Sequence, residues 1–464
     1  MANEALELGY RYFCKEETTG KGYCGMFHLE ADDMAVELYA FDERHIRGRF
    51  DDLLVLRLAN NTIVSLHNNI PSSGGIRHMD LENQRFTSYR SVRSNVVIAG
   101  DNAWLPSDPV RRISFSIEHA EELLRYSDKY EAVVEAEFGD MPDSTLFALK
   151  ADGMTLKAWY PASGDFTFKH ATHIGVRYGI EFDEPRNLTS YMPEMLRLVH
   201  FVSAAMGHRF APSDIHFSRL TDAEYMVAVE ARQGYREHRV HYIWVSDAPK
   251  SNLWIGSSFA HVRGKAELTA FLDCLKVWIE RDVAWRSATN MMMGSLGFQR
   301  VMSGERLMTA CRWLEEIPGA DSTMAVSNDD INAIAELAGA EAEKRGHKDY
   351  RSRIAGVIRG QLKKESNGER FARLHKSVCD KFGNEALEDN VVPYLLRAMT
   401  FRGRVAHGHF ELDGEADYKS FAKSVYAMEA LCYLLTIRDL PMTSEGAWRA
   451  TTQQIVTNFR RCPD

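Results

Sequence analysis

The sequence VVPYLLRAMTFRGRVAHGHF, residues 391–410, is the most informative segment in the C-terminal half of the chain. Three of its apolar residues recur at the spacing of one helical stripe: Leu395, Met399 and Ala406. Arg402 falls on the same stripe, and His407 follows it after four residues, with a glycine next. A buried arginine is costly unless it is paired. A partner subunit or a ligand phosphate could supply that pairing.

Helical periodicity extends from this stretch through residues 264–464. Apolar residues recur every three or four positions in six further segments: 267–285, 305–317, 327–346, 350–364, 370–382 and 418–438. Pro318-Gly319 is a stop signal, and Ser327 is an expected N-cap followed by an acidic first turn. We therefore predict an all-α domain for residues 264–464.

The residue pattern of 1–263 is typical of short strands instead. Two hairpins are predicted, one over 53–70 with Asn60-Asn61 at its turn and one over 146–161 with Asp152-Gly153. Further strands are predicted at 95–100, 111–120, 130–138, 166–182, 213–220, 225–233 and 238–247, and one helix at 189–207. The predicted fold class is thus α+β and multidomain: an N-terminal β-rich domain resembling a sandwich or barrel, then an all-α bundle.

Several function classes lack support in the sequence. The chain has 464 residues, enough for two domains, and contains neither a run of 18 apolar residues nor a signal-peptide pattern. The phosphate loop, GxGxxG, HExxH and GxSxG motifs are absent. Seven scattered cysteines without a CxxC fit reduced thiols. We expect a cytoplasmic protein with no metal, no cofactor and no membrane partner.

Charge is distributed unevenly along the chain. Residues 264–464 carry 28 basic and 28 acidic residues, so the net charge of −9 lies on residues 1–263. Residues 344–376 contain eleven Lys and Arg residues and only three acidic residues. This run is either a solvated helix face or a footprint for a phosphate backbone. In the second interpretation, the RNA-binding candidates are Arg351, Arg353, Arg359, Lys363 and Lys364.

FRGRVAHGHF resembles the signature of the HEPN superfamily, with Arg402 and His407 as its R-x4-H pair. The match lies in a late helix of an all-α domain and precedes a long apolar helix. The β-rich region with its late helix is similar to the N-terminal domain of ApeA-like abortive-infection proteins. Together the two resemblances cover nearly the whole chain.

The resemblance implies metal-independent RNA cleavage in anti-phage defence, with tRNA among the candidate substrates, within a homodimer or higher even oligomer. His407 would act as general acid/base and Arg402 would stabilise the scissile phosphate, leaving a 2′,3′-cyclic phosphate. The residue after the motif arginine is commonly Asn, Asp or His, whereas this chain has Gly403, and Arg404 or His409 could compensate. The β-rich domain would be the sensor of a phage-derived trigger.

Three alternatives remain open from the sequence. The chain could be a catalytically weak HEPN scaffold that dimerises and binds RNA or a phage protein through its β-rich domain. Gly403 in place of a polar residue favours this alternative. Arg402 and His407 could only hold helices together. Third, the chain could be a carbohydrate-binding β-sandwich with a helical dimerisation tail. Only the predicted pattern of strands and helices supports this alternative, and no individual residue does.

Overall fold

The computed structural model describes most of the chain. The described residues are 6–30, 33–41, 46, 50, 52–80, 85–117, 119–136, 143–163, 173–188, 190–231, 237–242, 258–298, 301–323, 327–362, 365–388 and 390–463.

The strands of the described part lie before residue 243. They are β1 (Tyr10–Glu16), β2 (Cys24–Leu29), β3 (Met34–Phe41), β4 (Leu53–Leu58), β5 (Ile63–Asp80), β6 (Arg85–Gly100), β7 (Val110–Ile117), β8 (Thr145–Ala151), β9 (Met154–Trp159), β10 (Ala162–Ser163), β11 (His173–Ile174), β12 (Arg177–Arg186), β13 (Pro212–Ser218) and β14 (Glu237–Tyr242).

The helices are concentrated in the second half of the chain. They are α1 (Ala120–Leu123), α2 (Ser127–Glu135), α3 (Met192–Met206), α4 (Asp222–Glu230), α5 (Lys265–Glu280), α6 (Asp282–Gly297), α7 (Gly304–Glu316), α8 (Asn328–Lys344), α9 (Arg351–Leu362), α10 (Asn367–Phe382), α11 (Val391–Ala406), α12 (Gly414–Ile437), α13 (Ser444–Thr451) and α14 (Gln454–Arg461). The coarse prediction of a β-rich region followed by a helical region is confirmed.

The N-terminal strands close into a ring. The antiparallel order is β3-β2-β1-β4-β5-β6, and β3 also pairs with β6. Closure removes free strand edges, as in small β-barrels. Alternate residues point inward and build an apolar core that includes Phe27, Leu38, Leu56, Leu66 and Val97, each fully buried. Of the two predicted architectures, a sandwich or a barrel, this part of the chain adopts the barrel.

The same sheet continues beyond the barrel. The first half of β6 pairs with β3, whereas its last residues, from Val96 to Ala99, pair with β14. From β14 the sheet runs through β13, β7, β12 and β9 to β8. One long strand therefore belongs to both the barrel and the open part of the sheet.

Both predicted hairpins are confirmed. β4 pairs with β5 across a turn in which Asn61 has a φ of 67°. β8 pairs with β9 across Asp152 (φ 49°) and Gly153 (φ 71°). Two successive positive φ values define the type I′ turn, whose twist matches the strands it joins, which explains why Asp-Gly stands there.

Two predicted strands are wrong. The segment 130–138 lies largely in helix α2, and 225–233 lies largely in helix α4. For α4 the signal was present: the Thr221 backbone N–H donates to Glu224 Oε2 (2.8 Å) and the Glu224 N–H donates to Thr221 Oγ1 (3.3 Å). This T-x-x-E capping box starts a helix that alternating apolar residues alone had suggested to be a strand.

The chain divides into two compact units. The β-rich unit comprises Met1–Val199, Phe210–Pro249 and Val262–Lys265, and the helical unit comprises His200–Arg209, Lys250–His261 and Ala266–Asp464. The predicted boundary at residue 264 falls close to the last of these divisions. The helical unit takes in the end of α3 because the Tyr433 hydroxyl donates to the Ala204 carbonyl (2.8 Å) and the Phe201 ring contacts Phe271.

Helix α12 forms the centre of the helical unit. Residues 427–437 of this helix are buried on every side, as expected of a helix enclosed by others. Its Glu429 forms a bidentate ion pair with Arg306 of α7, with N–O distances of 2.8 and 2.7 Å. All seven cysteines are free thiols. Among the described residues, no helix has both the length and the apolar character needed to cross a membrane.

Candidate functional site

Helix α11 carries the predicted motif and is amphipathic. It buries Val391, Leu395, Ala398 and Phe401 along one face. The predicted apolar stripe is correct at Leu395, but Ala406 is exposed. The buried face therefore follows the spacing 391, 395, 398 and 401, which leaves the end of the helix accessible.

Arg402 lies at the border of that buried face and already has a partner. Its guanidinium forms an ion pair with Glu315 at the end of α7, with an N–O distance of 2.5 Å. The Arg402 side chain is 28% exposed and that of Glu315 is 45% exposed. The predicted need for a pairing group is met within the chain, by a carboxylate that solvent reaches.

His407 is the C-cap residue of α11 and is exposed. The Gly408 N–H donates to the Val405 carbonyl (3.1 Å) and the His409 N–H donates to the Arg404 carbonyl (2.9 Å). These two hydrogen bonds form a Schellman motif, and Gly408 provides the required positive φ of 71°. The glycine after the motif histidine therefore has a backbone reason, and it fixes the position of His407.

Arg404 holds the turn after α11. Its guanidinium donates to the Glu411 carbonyl, pairs with Asp417 of α12 (3.5 Å) and lies 5.3 Å from the centre of the Phe401 ring. These contacts join the end of α11 to the start of α12. The arrangement positions the loop that carries His407 and His409, both of which are exposed.

Within one chain, Arg402 and His407 point to different sides of the helix. Five residues advance an α-helix by roughly 500°, which separates two side chains by about 140° around the axis and about 7.5 Å along it. Arg402 therefore faces α7, whereas His407 lies on a stripe with Thr400, which is exposed, and Gly403, which is half-buried. One chain does not bring the two motif side chains onto a common face.

Gly403 lies on this stripe with ordinary helical geometry. A Cβ placed on it would meet no atom of the described residues within 4 Å. Glycine in a helix interior costs about 1 kcal/mol relative to alanine. In the described part of the chain, neither the backbone nor packing requires that cost at this position.

Two of the predicted RNA-binding arginines form ion pairs with carboxylates of α8. Arg351 pairs with Glu343 (2.7 Å) and with Glu336 (3.5 Å), and Arg359 pairs with Glu336 (2.5 Å). All these side chains are at least one-third exposed. The pairs lower the positive charge that this face offers to a phosphate backbone.

The other members of the basic run differ in their surroundings. Arg353 is exposed on α9, and Lys363 and Lys364 lie outside the described residues. Further along, Arg373 forms an ion pair with Glu365 (2.5 Å), and this contact lowers the pKa of Glu365 to about 2. The described part of the run thus consists largely of paired helix-surface charges.

Comparisons with protein-family models, curated proteins and solved structures gave no match to this chain. The HEPN and ApeA-like resemblance therefore remains a prediction from the motif and its setting.

Sequence analysis missed a charged cluster on the β-rich unit. His216 Nε2 lies 3.3 Å from Asp214 and its Nδ1 lies 3.4 Å from Glu237, while Arg177 also binds Asp214 (2.5 Å). Burial disfavours the charged imidazole, but the two carboxylates outweigh it and raise the pKa of His216. The i, i+2 spacing of Asp214 and His216 does not by itself signal this contact, because the strand has a bulge between Ser213 and His216, where Asp214 has a φ of 47°.

This cluster binds its own members rather than an external group. Hydrogen bonding to His216, together with the charges of His216 and Arg177, holds the pKa of Asp214 well below its usual range. Both nitrogens of the imidazole have neighbours within the cluster, so it stabilises the sheet face. In the described part of the chain, no group of three or more His, Cys, Asp or Glu is arranged to hold a metal ion.

Proposed function

We propose that the chain is a metal-independent endoribonuclease that acts in anti-phage abortive infection. The observation that carries this proposal is His407, an exposed imidazole fixed by a Schellman cap at the end of α11, on the helix that also presents Arg402. RNA supplies its own nucleophile, the 2′-hydroxyl. An imidazole can move the protons of that reaction near neutral pH, and a guanidinium can stabilise the phosphorane charge.

In this proposal the active site is composite. Because Arg402 and His407 of one chain lie about 140° apart around α11, a second copy would supply the missing member of each pair. A two-fold interface uses the same surface on both copies, and the stripe through Thr400, Gly403 and His407 is the surface proposed for it.

The second candidate is an RNA-binding scaffold with little or no catalysis. The observation that favours it is the Arg402–Glu315 ion pair, which competes with a phosphate for the guanidinium. Under this alternative the helical unit binds RNA or a partner protein, and the β-rich unit recognises a phage component.

Incubation of the full chain with RNA in buffer containing EDTA separates the two candidates. The ribonuclease proposal predicts that cleavage continues without divalent metal ions, because the chemistry uses only the 2′-hydroxyl and protein side chains. RNA that is bound but left intact would favour the scaffold. Cleavage that stops with EDTA and returns with added metal would contradict the proposed mechanism.

Replacing Glu315 with glutamine is expected to free Arg402. Glutamine keeps the shape of the side chain but removes the competing charge, and the pair is exposed enough to contribute at most about 1 kcal/mol to stability. We expect RNA to bind about twofold to fivefold more tightly to E315Q, as measured by fluorescence anisotropy. Unchanged affinity with lowered stability would mean that the pair only joins α7 to α11.

Restoring a polar side chain at position 403 is expected to raise cleavage. A Cβ fits there without contact, so Gly403→Asn adds the amide that the resemblance associates with active enzymes. Gly403→Ala is the matched control, because it removes the helix cost of glycine, about 1 kcal/mol, without adding a polar group. A cleavage rate that is higher in G403N than in G403A is expected. Equal rates in the two variants would show that a polar group at this position does not assist cleavage, and loss of cleavage in both would show that any side chain there blocks the proposed interface.

A further inference from the structure

A groove of about 540 Å³ crosses the outer face of the β-barrel. It runs over strands β4, β1, β2 and β3, which are neighbours in the sheet. Its walls include Phe13 and Lys15 of β1, Phe41 of β3 and Arg57 of β4. Among the described residues that line it, none is acidic. The groove therefore combines apolar and aromatic walls with two cations.

Phe13 and Phe41 lie on the outer face of the barrel because side chains alternate along a strand. They are 71% and 73% exposed, whereas their neighbours Cys14 and Ala40 are 6% and 4% exposed and belong to the barrel core. An exposed ring on a strand gains little from packing within its own chain. It presents an open π-face instead, and such rings stack on the bases of single-stranded nucleic acids.

The two rings are placed to contact different bases. Phe13 is opposite Met26 of β2, which is opposite Glu37 of β3, and Phe41 follows Glu37 by four residues. At about 4.8 Å between strands and about 3.4 Å per residue, the two positions are about 10 Å apart across the sheet and about 13 Å apart along it. Rings that pair with each other lie within about 7 Å. Each phenylalanine therefore has room for a base of its own.

Strand β1 alternates cations with its aromatic ring. Arg11, Phe13 and Lys15 follow one another at every second position, and all three are exposed. Neither Arg11 nor Lys15 forms an ion pair within the described part of the chain. Lys15 is directly opposite Arg57 of β4, and like charges in that arrangement repel each other. Glu17 pairs with Arg57 (2.7 Å), so Arg11 and Lys15 are the cations available to a phosphate.

Acids on the neighbouring strands have partners of their own. Glu37 accepts a hydrogen bond from the Tyr39 hydroxyl (2.6 Å), and Asp33 pairs with Arg93 (3.3 Å). The net charge of −9 on residues 1–263 does not exclude a basic site on β1, because a binding site depends on the charges close to it.

We infer that this face of the barrel binds single-stranded RNA, with bases stacked on Phe13 and Phe41 and phosphates beside Arg11 and Lys15. Proteins bind single strands in this way, by combining a positively charged surface with rings on which successive bases stack. An apolar protein segment would fill the groove without using the two cations, so the charges favour RNA. The choice of RNA over DNA rests on the proposed function, whereas the positions of the rings and cations do not.

Fluorescence anisotropy of the full chain with a labelled 2′-O-methyl oligouridine tests the inference. A length of about 12 nucleotides falls within the range of roughly 4–16 that a small barrel covers. The probe lacks the 2′-hydroxyl nucleophile, so binding is measured without cleavage, and its failure would leave the cleavage experiments unaffected. Phe13→Ala should weaken binding at least about fivefold, because one stacked base contributes that factor or more. The double variant F13A/F41A should weaken it at least about 25-fold.

Two further substitutions at position 13 separate stacking from apolar contact. Phe13→Tyr keeps the ring and should bind within about twofold of wild type, because any aromatic face can stack on a base. Phe13→Leu keeps an apolar side chain without a ring and should bind as weakly as F13A. The exposure of Phe13 makes all these variants tests of binding that do not depend on folding.

The cations are tested through the salt dependence of binding. Lys15→Gln should lower the slope of log affinity against log salt concentration by about 0.7, the value for one phosphate contact of a single strand. Lys150→Gln is the matched control, since Lys150 is a 74% exposed lysine of β8. Trp448→Ala is the control for the rings, since Trp448 is a 61% exposed aromatic residue of α13. Both controls should bind the probe like wild type.

Three results would overturn the inference. The first is that the oligouridine does not bind, even if a thymidine DNA of the same length does. The second is wild-type affinity in F13A/F41A, which would place any bound RNA elsewhere on the chain. The third is wild-type affinity in F13L, which would show an apolar contact and favour a protein segment as the occupant of the groove.

Discussion

Replacing His407 with alanine is expected to reduce RNA cleavage by at least about 100-fold while the protein stays folded. General acid–base catalysis by a positioned side chain contributes roughly 10²- to 10⁴-fold in rate. The side chain of His407 is exposed and makes no hydrogen bond or ion pair with any described residue. Its removal should therefore change the free energy of unfolding by less than about 0.5 kcal/mol. Cleavage of a labelled RNA under single-turnover conditions gives the rate, and thermal unfolding gives the stability.

His347→Ala is the control for this variant. His347 is an exposed histidine of the helical unit, and it precedes the short 3₁₀ turn before α9. The His347→Ala variant should cleave RNA at the wild-type rate. His409→Ala is informative as well, because a loss there equal to that of H407A would assign the acid–base role to both histidines. Wild-type cleavage by H407A would reject the proposed mechanism.

Replacing Arg306 with methionine is expected to destabilise the helical unit by about 3–5 kcal/mol. Arg306 and Glu429 are each 1% exposed at the side chain, and their pairing is bidentate. The Arg306 guanidinium also donates to the carbonyls of Phe298 (2.9 Å) and Val301 (3.0 Å). Burial disfavours the Arg306 cation, but Glu429 outweighs it and raises the pKa of Arg306. The variant would leave a buried carboxylate and two carbonyls without their donor.

Two comparisons isolate this effect in urea unfolding followed by circular dichroism at 222 nm. The double variant R306M/E429L removes both charges and should regain much of the loss, because an apolar pair of similar volume can replace a buried ion pair. Arg345→Met breaks the exposed pair with Glu341, whose side chains are 74% and 53% exposed, and should cost less than about 1 kcal/mol. If R306M is no less stable than R345M, the buried pair does not stabilise the fold.

Local signals in the sequence were sufficient for most of the fold. Asp152-Gly153 specified its hairpin because only a few residues tolerate two positive φ values in succession. Ser327 specified the start of α8 by accepting a hydrogen bond from the Asp330 N–H. The error at 225–233 arose because alternation of apolar residues is also compatible with a short helix, and the capping box at Thr221 was overlooked.

Features of the fold that depend on contacts between distant segments could not be predicted from local sequence patterns. Closure of the barrel requires β3 to pair with β6, about 50 residues later, and no local pattern reports such a pairing. The division of α3 between two units has the same origin, since the Ala204 carbonyl is bound by Tyr433 of α12. Contacts between distant segments decide these features, and propensity and periodicity do not encode them.

The motif named the residues of the candidate site but not their charged partners. The motif identified Arg402, His407 and Gly408, and Gly408 proved to be the C′ residue of a Schellman motif. The partner of Arg402 is Glu315, which is 87 positions earlier and carries no motif of its own.

The ribonuclease proposal is tested most directly by comparing wild type with His407→Ala in bacteria challenged with a phage panel, with sequencing of RNA ends that carry a 2′,3′-cyclic phosphate. Wild type should protect the culture and produce new cyclic-phosphate ends, and both effects should be lost together in the variant. Equal protection by the two proteins, without new ends in either, would rule out the nuclease mechanism. Arg402 and His407 would then be packing or binding residues.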